Sequence, residues 1–204
     1  MKDKATTNEE NKKKAGRPRE FCTEQALETA LQLFGRKGYE GTSLSDLTDA
    51  IGVNRPSLYA AFGSKEELFR KVLDRYAAHA NSALDAALAQ PTARRVAEAL
   101  FSAAFNRTPS DAPGCLLVSG ALACSDESET VRCELAARRE ASVAILRQRF
   151  EKAGAGELPP GADPAGAARY LVTVLNGLAV QSAGGASPED LRRVAEIAIA
   201  AWPA

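Results

Sequence analysis

The stretch from Ser43 to Phe69, SLSDLTDAIGVNRPSLYAAFGSKEELF, starts three helices in quick succession, and no other part of the chain limits its fold so tightly. SLSD has the form of a capping box. Ser43 can accept from the Asp46 amide, while the Asp46 carboxylate reaches back and favours the positive end of the helix. Leu44, Leu47 and Ile51 give that short helix one apolar face, and Gly52 stops it. Asn54 is a good N-cap for the next helix, which tolerates Pro56 because first-turn amides have no intrahelical partner. Leu58 and Phe62 point inward on that helix, and Gly63 ends it. SKEE then repeats the box with Ser64 and Glu67, opening a helix expected to run past Tyr76 to the neighbourhood of Gln90 and Pro91. Upstream, Ala26, Leu27, Ala30, Leu31 and Phe34 recur at helical spacing and predict a first helix ending at Gly35 or Gly38.

Two short helices joined by a tight turn, with a supporting helix before them and a longer one after, form a helix-turn-helix unit. In such a unit the second helix of the pair enters the DNA major groove with its N-terminal residues at the base edges, and the first crosses the phosphate backbone. Arg55, Ser57 and Ala60 fall on the exposed face of that second helix, with Asn54 and Pro56 at its start. The run KKKAGRPR, Lys12 to Arg19, carries basic residues and no acid. Alone it reads as a solvated tail; beside a helix-turn-helix unit it is a candidate arm, with Arg17 and Arg19 able to follow the backbone or enter the adjacent minor groove.

The rest of the composition mostly excludes. Lysine plus arginine and aspartate plus glutamate number 26 each, so no global charge field points to a nucleic-acid or membrane partner. No apolar run is long enough to cross a bilayer, and a soluble, cytoplasmic protein is expected. Cys22, Cys115, Cys124 and Cys133 contain no CxxC pair, and His79 is the single histidine, which argues against a zinc site. His79 itself reads as a surface or hinge residue. No nucleophile elbow, glycine-rich phosphate loop or metal-ligand cluster is recognisable, so neither an enzyme nor a cofactor is indicated. A helical enzyme and a purely architectural DNA-binding protein remain the readings from other classes.

Beyond the connecting helix the signals are again helical, and an all-α fold is expected. ARRVAEALFSAAF places Val96, Leu100 and Phe101 on one side; GCLLVSGALACS reads as a short apolar helix in the interior. ESETVRCELAARREASVAILRQRFEKAG turns Val131, Leu135, Val143, Leu146 and Phe150 toward a core. Asp163 and Ser187 cap the last two helices, whose short connection predicts an antiparallel pair. Four segments follow: a flexible basic arm over 1–18, the helix-turn-helix domain over 19–63, the connecting helix over 64–90, and a C-terminal helical domain over 91–204.

The frame G-V-x-x-x-x-L-Y-x-x-F-x-S-K-E-x-L, with ALETALQLFGRKGY upstream, resembles the N-terminal domain of TetR/AcrR-type transcriptional regulators over roughly Arg19 to Tyr76. That resemblance implies phosphate contacts by Tyr59 and Lys65 and a backbone contact by Thr42 or Ser43. It departs at Cys22, where the family usually has an aspartate cap; thiol caps poorly, so Thr23 takes over or the helix start frays. It also implies a homodimer on double-stranded operator DNA, repression, and a small-molecule effector in the C-terminal domain. Candidate walls for a mostly apolar effector are Phe101, Phe105, Leu117, Leu122, Val143, Phe150, Tyr170 and Asn176. Leu171, Leu175, Leu178, Val194 and Ile197 divide between core and dimer interface. Cys115, just after Pro113 and Gly114 at a helix start, is a rival thiol sensor. Cys115, Cys124 and Cys133 are nine residues apart, and on one helix neighbours at that spacing face opposite sides.

Overall fold

The computed structural model describes residues 22–106, 115–118 and 128–203. The basic arm with Arg17 and Arg19, Leu122, Cys124 and the His79 side chain lie outside the described residues. Among the described residues the principal helices are α1 (Thr23–Lys37), α2 (Leu44–Ile51), α3 (Arg55–Phe62), α4 (Lys65–Leu88), α5 (Ala93–Phe105), α6 (Glu129–Phe150), α7 (Pro164–Ala183) and α8 (Pro188–Ala200). No strand occurs among the described residues, and the protein is all-α there.

The expected caps form. The Ser43 hydroxyl accepts from the Asp46 amide and the Ser43 amide donates to the Asp46 carboxylate, at 3.0 and 2.9 Å. Asn54 accepts from Ser57, Asp163 from Gly166 and Ser187 from Asp190, and the Ser64–Glu67 pair closes a second box. Thr92, which periodicity does not single out, caps α5 through the Arg95 amide. Cys22 stands at the N-cap of α1 with no side-chain cap bond. At Gly52, φ 78° and ψ 34° put the α2–α3 turn in the left-handed region, where a side chain would strain the backbone. Gly63, also at positive φ, leaves room for Glu67: a Cβ there would meet the capping-box carboxylate at 2.0 Å.

Two apolar cores result. The first gathers Ala30 and Phe34 of α1, Leu47 of α2, Leu58 and Phe62 of α3, and Leu68, Phe69, Val72 and Leu73 of α4. Phe69 is its hub, with ring centroids 4.9 Å from both Phe34 and Tyr39. Leu116, Val131 and Leu135 join this core from beyond the connecting helix, so the helix-turn-helix unit rests on residues from further along the chain. The second core gathers Val96 and Phe101 of α5, Val143, Leu146 and Phe150 of α6, Leu171 and Leu178 of α7, and Leu191 of α8. Trp202 closes it, fully buried with its ring 5.1 Å from that of Phe150.

The connecting helix stops at Leu88, slightly earlier than periodicity suggests, and its last carbonyls are met from across the fold. Arg149 of α6 donates to the Leu88 and Gln90 carbonyls at 3.0 and 2.6 Å. This is the partner a helix end without a glycine cap requires. Trp202→Ala should lower stability by about 3–5 kcal/mol in urea titrations of the full chain, the cost of truncating a buried tryptophan; a change within a few tenths would mean the second core closes without it.

Candidate nucleic-acid interface

Recognition by α3 requires that one of its faces be locked and the other free. Leu58 and Phe62 are each 2% exposed inside the first core. Arg55, Pro56, Ser57, Tyr59 and Ala60 lie on the exposed side, Tyr59 with 45% of its surface open. Asn54 is also exposed, but its side-chain oxygen is engaged by the Ser57 amide at 2.9 Å, which makes it the cap of the helix rather than a free acceptor. Thr42 departs from expectation. It is fully buried and its hydroxyl donates to the Gly38 carbonyl at 2.7 Å, so its side chain secures the α1–α2 turn and does not reach outward. Ser43 is exposed, with its hydroxyl bound to the Asp46 carboxylate at 2.7 Å.

Three basic groups at this edge are held in place by neighbours whose contacts sequence reasoning passed over. The Lys65 ammonium sits 4.3 Å from the centroid of the Tyr39 ring, a cation–π geometry. Burial there pushes its pKa below the usual lysine value, while the nearby Glu40 charge acts in the opposite direction. Lys37, at the end of α1, contacts the Asp46 carboxylate at 2.6 Å. The Lys37 hydrogen bond, followed by those of the Ser43 hydroxyl and amide, holds the Asp46 carboxyl well below the usual carboxylate range. Arg55 donates from Nη2 to Ser45 Oγ at 2.9 Å, joining the recognition helix to α2. Tyr39–Lys65 and Ser45–Arg55 leave no local signal, because their partners are ten or more residues apart across a turn.

The residues expected around an effector do not share one environment. Phe101, Val143 and Phe150 are buried in the second core and Phe105 is packed at its edge, but Leu117 packs against the first core. Tyr170 is 38% exposed on α7, and Asn176 is half-buried. An apolar groove does run along α7 and α8, lined by Val174, Gly177, Leu178, Val180, Leu191 and Val194. It contains none of the expected wall residues. Of the interface candidates, Leu171 and Leu178 are consumed by the protomer's own core and Leu175 is half-buried, whereas Val194 and Ile197 face outward, Ile197 with 74% of its surface open.

The cysteines also separate. Cys115 precedes the short helical run Leu116–Val118 and Cys133 lies on α6, in separate elements as their two sequence segments imply. Cys133 is exposed, and its hydrogen bond to Glu129 pushes the thiol up. Cys115 is half-buried and its sulfur accepts from the Tyr76 hydroxyl at 3.4 Å. Among the described residues no group of His, Cys, Asp or Glu is placed to hold a metal, and no helix is long and apolar enough to cross a membrane.

A recognition helix with a pinned inner face and a polar outer one, carried on a three-helix support and followed by a helical domain, defines a helix-turn-helix DNA-binding regulator. Residues 26–72 match the family model for bacterial regulatory proteins of the tetR family. The HTH-type transcriptional repressor ComR of Escherichia coli (strain K12) is 34% identical over 197 residues, spanning 94% of each chain. The HTH-type transcriptional repressor BdcR from the same strain is 54% identical over 61 residues, 30% of this chain and 31% of that one. A cysteine mutant of the TetR family transcriptional regulator CifR, complexed with a 26bp double-strand operator DNA, superposes with a TM-score of 0.83 at 41% identity, covering 92% of this chain and all of that one. The chain belongs to the TetR family of transcriptional regulators.

The Asp46 latch gives a titration to measure. With its folded pKa depressed, the carboxylate contributes stability that is full above the unfolded value of about 4 and is lost as pH falls through the folded one. NMR of the Asp46 carboxyl should therefore show no protonation at the pH where ordinary aspartates titrate, and Lys37→Met should bring its midpoint up toward theirs. An ordinary midpoint in the unmodified protein would dissolve the latch.

Proposed function

We propose that the protein acts in the cytoplasm as a homodimeric repressor, using α3 to read a partly palindromic operator and releasing it when a small, mostly apolar effector binds the C-terminal helices. The observation that carries this reading is the division of α3, with Leu58 and Phe62 buried and Arg55, Ser57, Tyr59 and Ala60 presented together. Arg55 stands at the first turn, where an arginine can pair with the O6 and N7 of guanine. Tyr59 and Lys65 are assigned to phosphates, Ser43 to the backbone at α2, and Arg17 and Arg19 to the arm. The groove with Val180 and Val194, continued by Ile197, offers an apolar face for a second copy. Two reading heads about 34–36 Å apart require such a two-fold partner.

Release requires an effector that prefers one spacing of the heads, since equal binding to both forms shifts nothing. The connecting helix α4 is the assigned lever: α6 meets it near its start through Glu134 and Arg138 and at its end through Arg149, and Phe101, Phe105, Val143 and Phe150 are the apolar side chains assigned to the effector. A second reading rests on one contact: Tyr76 of α4 donates to Cys115, which puts a thiol directly on that lever. Oxidation or alkylation of Cys115 would break this contact. If treatment with an electrophile abolishes operator binding in the unmodified protein but not in Cys115→Ser, the thiol reading replaces the apolar effector.

Selection from random duplexes should recover two-fold related half-sites about one helical turn apart. On the recovered operator, Tyr59→Phe and Lys65→Ala should weaken binding to specific and unrelated DNA alike, with Lys65→Ala also flattening the salt dependence by about one unit per lost phosphate contact. Arg55→Ala should instead relax preference at one base pair of each half-site. Uniform loss across all sequences for Arg55→Ala would move that residue to the backbone.

A further inference from the structure

Arginine is a costly residue to use for base reading, because its long exposed side chain has many rotamers to give up when it docks. In this protein part of that ordering is in place before DNA arrives. Arg55 Nη2 donates to Ser45 Oγ at 2.9 Å, across the turn between α2 and α3. Both ends of the contact are anchored. Ser45 lies in the first turn of α2, whose start is closed by the Ser43–Asp46 box, and its carbonyl accepts from the Thr48 hydroxyl at 3.0 Å. Arg55 follows directly on Asn54, the cap of α3. The guanidinium carries five N–H donors, and the bond to Ser45 occupies one of them, leaving enough for a bidentate pair on a guanine edge.

We infer that Ser45 is a positioning residue for sequence reading: its hydroxyl holds the Arg55 guanidinium in the orientation used at the base edge, so that specificity at that base pair depends on a residue of α2. This rests on the operator-reading role proposed above for Arg55. Nothing in the fold requires the contact. Ser45 and Arg55 are both exposed, and α2 keeps its cap and its buried Leu47 without it. Holding one rotamer-rich side chain in advance is worth about a three- to tenfold gain in the affinity of the contact it serves.

The test is a double-mutant cycle in the full-length chain, with three duplexes as probes: the operator recovered by selection, the same operator changed at the base pair that Arg55→Ala relaxes, and an unrelated sequence. Ser45→Ala should reduce discrimination between the first two about three- to tenfold and leave affinity for the third unchanged. Ser45→Thr, which keeps the hydroxyl, should restore discrimination. In the Arg55→Ala background, Ser45→Ala should have no further effect. If Ser45→Ala weakens all three duplexes equally, or costs the same with and without Arg55, Ser45 contacts DNA on its own account and the positioning role is overturned while Arg55 still reads. If Arg55→Ala leaves preference intact, the reading role assigned to Arg55 fails, and the inference fails with it. Unchanged thermal melting of both Ser45 variants separates these outcomes from a folding defect.

Discussion

An eight-residue helix does not persist alone in water, because nucleation costs more than two turns of hydrogen bonds return. Helices α2 and α3 are that short, and their existence depends on burying Leu47, Leu58 and Phe62 against α1 and α4. The aromatic cluster of Phe34, Tyr39 and Phe69 is the fixed point of this arrangement. Each feature of the candidate interface follows from it. The direction of α3 is set by which residues are buried, the outward position of Arg55 and Tyr59 is set by helical geometry from there, and Lys65 rests on the ring of Tyr39, itself part of the cluster. The caps then choose where each helix begins, contributing about 1 kcal/mol apiece rather than driving the fold.

How much of this was legible in the amino-acid sequence follows from the range of each interaction. Caps act over three residues, so Ser43 with Asp46, Asn54 with Ser57, Ser64 with Glu67 and Ser187 with Asp190 could be read directly and are found. The weak cap at Cys22 could be read for the same reason. Inward faces also follow from helical period, and all five α6 residues assigned to a core are buried. What period cannot say is which core. Leu117 carries the same apolar signal as Phe101 but packs beneath the helix-turn-helix unit, and Tyr170, on an apolar helix, turns to the surface. The resemblance left Thr42 and Ser43 as alternatives, and only the fold separates them: the turn at Gly38 buries Thr42 and supplies a carbonyl for its hydroxyl, while Ser43 stays exposed.

The charged side chains show a division of labour. Arg75 pairs with Glu24 and Glu28 of α1, Arg70 with Glu134 of α6, and Arg138 with Asp74 and Glu134. Such partly exposed pairs are each worth about 0–1 kcal/mol, so they do not hold the protein together. They do fix how α4 sits against α1 on one side and α6 on the other, because a carboxylate and a guanidinium pair well only over a narrow range of geometry. Apolar burial supplies the stability, and the ion pairs select the relative position of helices that apolar surfaces alone would allow to slide.

That division has a consequence along α4 itself. Its first third is immobilised by Leu68, Phe69, Val72 and Leu73, all at most 1% exposed, so the recognition unit and the start of α4 move as one body. From Ala80 to Ala86 the same helix is largely exposed, and no buried side chain grips it until Ala87. At its far end the attachment is again firm, through Leu88 against the second core and Arg149 on the last carbonyls. A helix seized at both ends and open between them transmits displacement as tilt rather than absorbing it by local repacking. Helix α6 is therefore joined to α4 at two levels, through Arg149 at its end and through the Glu134 and Arg138 pairs nearer the first core. Because these two levels lie on opposite sides of the exposed stretch, the lever role proposed for α4 asks only that a rotation of α6 move them unequally, which would change the angle of the recognition unit and leave intact the core on which α2 and α3 depend.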